Sequence, residues 1–152
     1  MSDSARQAAA PKKQRFGKDR RLVRRADFLR VQNSAFRVST PSYILLVDPR
    51  PEPDGAARVS RLGLTVGKKV GSSPERSRTK RVFRELFRLW PEPGLVPAGF
   101  DLVVIARAGA SKRGLTEARA ELTKVARLLV KRCEEARSAV ARRPPTPHIP
   151  GR

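Results

Sequence analysis

The chain has 152 residues, a length that suits one domain. Thirty-four Lys and Arg stand against fourteen Asp and Glu, a net charge of +20, so a compact state repels itself unless a polyanion neutralises it. No apolar run approaches the ~20 residues that span a bilayer, residues 1–14 lack the apolar centre of a signal peptide, and Cys133 is alone, which excludes a disulfide framework and a thiolate metal site.

Nucleic acid is the leading partner, because each phosphate neutralised by Lys or Arg releases a condensed counterion. An anionic membrane surface is the rival. The expected location is the cytoplasm, with neither a membrane anchor nor a small-molecule substrate.

Residues 1–18 are polar, Ala-rich and basic and read as a disordered arm. Residues 139–152 carry four prolines and read as a disordered tail. Between them, residues 19–138 form the expected domain.

A first helix is expected over 27–33, extending back toward Arg21, with Leu22, Phe28, Leu29 and Val31 on its apolar side and Asn33-Ser34 as its stop. From Phe36 the pattern turns β-prone, and residues 43–47, Tyr-Ile-Leu-Leu-Val, read as a strand. Residues 49–55 hold three prolines and an Asp-Gly pair, a loop. Residues 61–66 read as the next strand, paired antiparallel with the one before it.

A Gly- and Ser-rich turn carrying Lys68 and Lys69 leads into a helix over 74–90, with Ser73 as N-cap and Pro74 in its first position. Residues 101–107 read as another strand. The last helix is expected over 115–136, with Leu115, Ala118, Leu122, Val125, Leu129 and Cys133 on one stripe. The order α-β-β-β-α-β-α implies a single α+β domain, a mostly antiparallel sheet with helices packed on it.

The helix over 74–90 carries the charge. At ~100° per residue, Arg76, Lys80, Arg81, Arg84 and Arg88 fall in one broad sector, and Val82, Phe83, Leu86, Leu89 and Trp90 fall roughly opposite. Arg78 and Phe87 lie near the boundaries. Such a helix is held by its apolar side, so its guanidinium forks meet phosphate oxygens in defined geometry. Like charges at i,i+4 repel, and a polyanion offsets that repulsion.

No catalytic constellation is visible. His148, the only histidine, sits in the Pro-rich tail. Asp27, Asp48, Asp101 and Glu85 look scattered, and Glu85 reads as an intrahelical partner for Arg81 or Arg88.

Residues 76–85, Arg-Ser-Arg-Thr-Lys-Arg-Val-Phe-Arg-Glu, resemble the R-N-R-x-K-R-x-x-R-E motif of the bacterial ribonuclease P protein family. Residues 62–71 are similar to the strand before that motif. Arg21-Leu22 with Asp27-Phe28 and Val31 is similar to the family's first helix, and residues 101–107 to its later strand. Ser77 stands where the motif has Asn, and Gln32 where the first helix usually has a second aromatic.

The resemblance implies a left-handed βαβ crossover around the Arg-rich helix. It implies a ribonucleoprotein endoribonuclease in which a catalytic RNA, with Mg²⁺, removes the 5′ leader of precursor tRNA. Arg76, Ser77, Arg78, Lys80, Arg81, Arg84 and Arg88, with Lys68 and Lys69, would contact RNA. Phe28 and Tyr43 would line a cleft for the leader. No cofactor or metal is expected on the protein itself. A general or ribosomal RNA-binding protein is the alternative.

Overall fold

The computed structural model describes residues 20–51, 59–91 and 94–142. The expected arm, residues 143–152 of the expected tail and most of the proline loop lie outside the described residues.

Helix α1 (Arg25–Gln32) precedes strands β1 (Arg37–Ser39), β2 (Tyr43–Pro49) and β3 (Arg61–Thr65). A 3-10 turn (Lys68–Val70) leads into α2 (Ser73–Leu89). Strand β4 (Phe100–Ala106), a second 3-10 turn (Ala110–Lys112), α3 (Leu115–Thr123) and α4 (Ala126–Arg142) follow. The last helix thus continues into the segment expected as a tail.

The strands lie in the order β1-β2-β4-β3. β1 and β2 are antiparallel, as are β2 and β4, while β3 and β4 are parallel and joined through α2. The α+β class holds, but the expected antiparallel pairing of residues 43–47 with 61–66 does not. β4 inserts between them and takes hydrogen bonds from both sides. Its near-continuous apolar run suits a central strand, and burial is nearly complete along it.

Strand alternation sorts the sheet's two faces. Tyr43, Leu45 and Val47 of β2, Leu102 and Val104 of β4 and Leu62 of β3 join Phe83, Leu86 and Phe87 of α2 and Ala118, Leu122, Leu129, Cys133 and Ala136 of α3 and α4 in the main core. The opposite face carries a smaller cluster, Leu22, Val31, Leu46 and Val103, with Phe28, Ile44 and Ile105 packed against it. Three helices cover one face and the short α1 covers the other.

The last helical segment is broken. Residues 124 and 125 form a turn between α3 and α4, and the Thr123 hydroxyl donates to the Arg119 carbonyl at 2.7 Å, a back-bond of the kind that bends helices. The expected stripe is buried at Ala118, Leu122, Leu129 and Cys133, while Leu115 is exposed. On α1 the apolar side is narrower than expected: Val31 is fully buried and Leu29 is exposed.

The three aspartates that look scattered in sequence meet in space. Register places Asp48 opposite Asp101 and Asp101 opposite Arg61. Asp101 is fully buried, and Arg61 grips it with Nε and Nη2, each at 2.8 Å. Arg30 of α1 also bonds Asp101, reaches Asp48 at 2.5 Å and Asp27 at 3.3 Å, and donates to the Pro49 carbonyl at 3.0 Å. Hydrogen bonding to Asp101 raises the Arg61 pKa above the ordinary guanidinium value. For Arg30, burial works the other way, and the bonds to Asp101 and Asp48 more than reverse it.

Removing one partner of a buried charge pair leaves the other uncompensated. Asp101→Asn is therefore expected to lower the unfolding free energy by about 3 kcal/mol, read from the midpoint of urea denaturation at constant slope.

Candidate nucleic-acid interface

α2 is built to hold cations still. Its N-cap is Ser72, one residue earlier than expected, with Pro74 at the second helical position. Ser72 and Glu75 form a capping box: the Ser72 amide donates to Glu75 Oε1 at 2.7 Å, and the Glu75 amide to Ser72 Oγ at 3.4 Å. The bond from the Ser72 amide holds the Glu75 carboxyl below its ordinary pKa. Gly71, at φ +153°, makes the turn possible, because a Cβ there would fall 2.3 Å from Glu75 Oε1.

The buried side of α2 is Thr79, Phe83, Leu86 and Phe87. It is rotated from the expected face: Thr79 and Phe87 go in, and Leu89 stays exposed. Thr79 can be buried because its hydroxyl donates to the Glu75 carbonyl at 2.9 Å. The rotation leaves Arg76 and Lys80 half-buried on the flank. Arg76 Nη2 donates to Ser73 Oγ at 3.3 Å, and its Nε is buried without a hydrogen-bond partner.

Ser77, Arg78, Arg81 and Arg84 are exposed. Arg78 donates to the Ser111 carbonyl, so it also ties the 3-10 turn Ala110–Lys112 to α2. Glu85 pairs with Arg88 at 2.5 Å, one of its two expected partners. Lys68 and Lys69 are exposed on their 3-10 turn, anchored by buried Val70.

The basic surface extends beyond the motif. The Leu22 amide donates to the Leu62 carbonyl at 3.0 Å, which lays the entering chain beside β3. Arg20 then sits 5.0 Å from the Phe87 ring centroid. Burial first, and the nearby charge of Arg21 second, press the Arg84 pKa below its ordinary value. Sequence periodicity could not show this, because Arg20 and Arg21 precede α1 and reach α2 only through the β3 pairing.

The predicted leader residues separate. Phe28 is half-buried where α1 meets the sheet, packed with Ile44 and Ile105 against the Leu22, Val31, Leu46 and Val103 cluster, and Gln32 Nε2 donates to Thr65 Oγ1 at 3.3 Å. Tyr43 lies on the other face of the sheet. It shares the parity of Leu45 and Val47, so it points into the main core, edge-on to Phe83 at 5.0 Å between centroids. Burial pushes its hydroxyl pKa up to about 12.

Among the described residues no group of three or more His, Cys, Asp or Glu could hold a metal ion. No described helix is long and apolar enough to cross a membrane.

A single α+β domain with a ridge of arginines held on one anchored helix is the build of a polyanion-binding protein. Residues 16–130 match the family model Ribonuclease P. A ribonuclease P protein component from Erythrobacter litoralis is 37% identical over 123 residues, covering 80% of this chain and 92% of that protein. One from Oleidesulfovibrio alaskensis is 41% identical over 96 residues, covering 63% and 73%. Solved ribonuclease P proteins superpose with TM-scores of 0.60 (Staphylococcus aureus, 27% identical, covering 72% of this chain and 94% of that one) and 0.57 (Thermotoga maritima, 30% identical, covering 71% and 96%). The chain belongs to the ribonuclease P protein family.

Two outcomes follow from this geometry. Cys133 is fully buried and burial pushes its thiol up to about 12, so it should resist thiol reagents at pH 8 in the folded protein and react fully in denaturant. Sulfate should raise the melting temperature relative to chloride of matched ionic strength, because anions that bind the folded ridge stabilise it by mass action. An identical melting curve in both salts would count against the second.

Proposed function

We propose that this chain is the protein subunit of a ribonuclease P that acts in the cytoplasm on precursor tRNA. It binds the catalytic RNA through α2 and receives the 5′ leader in the groove beneath α1. The observation that carries this reading is the anchored ridge of α2, with Arg81 and Arg84 exposed on a helix whose other side is buried. Anchoring matters because ordering a long cationic side chain opposes binding, and a fixed helix reduces that loss.

The RNA subunit carries out the hydrolysis, and Mg²⁺ bound to it supplies charge neutralisation at the scissile phosphate. Among its described residues the protein has no cluster of three or more His, Cys, Asp or Glu that could hold a metal ion, and Asp27, Asp48 and Asp101 are occupied by arginines. Its own work is binding and placement. Arg81, Arg84 and Ser77 contact backbone phosphates of the catalytic RNA, and Lys68 and Lys69 continue that track. Phe28 offers an aromatic face to a leader base of any identity. Exposed Arg21 widens the track on the side where the chain enters.

The test combines the purified protein with a bacterial ribonuclease P RNA at low Mg²⁺ and follows leader cleavage of a precursor tRNA. Cleavage should depend on the protein. Arg81→Ala and Arg84→Ala should each weaken binding to the RNA and lower the slope of log affinity against log salt by about one. Indiscriminate RNA binding without stimulated cleavage would instead mark a general RNA-binding protein.

A further inference from the structure

Helix α1 is a poor candidate for self-sufficient order. It has eight residues, no side-chain cap at its N-terminus, and one fully buried side chain, Val31. Isolated helices below about 12 residues are marginal in water. Apolar contact at Val31 is non-directional and would let the helix roll.

Phe28 and Arg30 lie on opposite flanks of α1, with Val31 between them, as 3.6 residues per turn requires. On one flank the Phe28 ring rests against Gly63 so closely that a Cβ there would fall 2.7 Å from its Cε1 and Cζ. On the other, Arg30 reaches two strands at once, Asp48 on β2 and Asp101 on β4, and the Pro49 carbonyl at 3.0 Å. Such charge-assisted bonds are directional. Phe28 has no slack toward the sheet, so releasing Arg30 favours an outward roll, opposed by the longer Gln32–Thr65 (3.3 Å) and Asp27–Arg61 (3.7 Å) contacts.

We propose that Arg30 is a positioning residue for the leader groove: bonded to Asp101 and Asp48, it fixes the roll of α1 and hence the place of Phe28, without touching the substrate. This rests on the reading of the α1 groove as the leader site. Asp48 and Asp101 stand directly opposite each other, so the guanidinium between them also removes a like-charge conflict that would part the strands.

The test uses the protein assembled with a bacterial ribonuclease P RNA and two precursor tRNAs. One has a leader long enough to fill the groove, the other a leader of a single nucleotide. In Arg30→Met, KM for the long-leader substrate should rise about tenfold. Its kcat, the short-leader KM and the affinity for the catalytic RNA should stay within about twofold. Arg30→Lys should recover part of the loss, since an ammonium still reaches Asp101. Asp48→Asn, which leaves Asp101 paired with both arginines, should raise the long-leader KM alone and by less.

Equal effects on both substrates, or a matching loss of RNA affinity, would overturn the proposal and leave Arg30 a purely structural residue. If Arg30→Met does not fold, Arg30→Lys and Asp48→Asn decide between the same two outcomes. A wild-type protein that does not distinguish the two leaders would overturn the leader-groove reading itself, and the inference with it.

Discussion

The buried carboxylate of Asp101 is the point on which both sides of this molecule depend. It sits on the central strand, fully buried, and two arginines converge on it from different elements. A lone ionised carboxylate in that position would be strongly unfavourable. Gripped from β3 and from α1, it becomes a joint that links the sheet to the one helix covering its second face. In a chain with few acids, placing three of them at one joint marks where attraction is needed to hold the fold. Along α2, Arg78, Arg81 and Arg84 face outward, and the repulsion among these cations is left for a partner to relieve.

The remaining charge is arranged differently. α2 is tied down by a capping box at one end and by Phe83, Leu86 and Phe87 along its length. Its exposed guanidiniums are therefore presented by a rigid support, and Arg78 binds the neighbouring turn while remaining exposed. The cation–π contact of Arg20 with Phe87 brings the entering chain to the same helix. The basic surface is a composite of three segments distant in sequence, and only the middle one carries the motif.

Much of this was legible from residue order alone. The α+β class, the span of α2, the stripe on the last helical region and the pairing of Glu85 with an intrahelical arginine all follow from periodicity and local spacing. What was missed is non-local. Tyr43 looks like an available aromatic until strand parity and the central position of β4 assign it to the main core. Asp27, Asp48 and Asp101 look scattered until register puts two of them opposite each other. Strand order is decided by which apolar run can be buried on both edges and both faces, a property of the assembled sheet. The rotation of α2 had a local signal, since a threonine can satisfy its own hydroxyl on the preceding turn and so be buried.

The parallel pairing of β3 with β4 has a consequence for how the chain comes into being. The central strand is the last to be made, after α2, so an emerging polypeptide holds β1, β2, β3 and the arginine helix with no middle strand to join them. Its contacts wait on long loop closures, which slow folding. Until β4 arrives, the basic helix has an apolar face with nowhere complete to lie. A nascent chain of this kind offers its cations to surrounding RNA before it has finished folding, so partner RNA can act on the route to the fold as well as on its final stability.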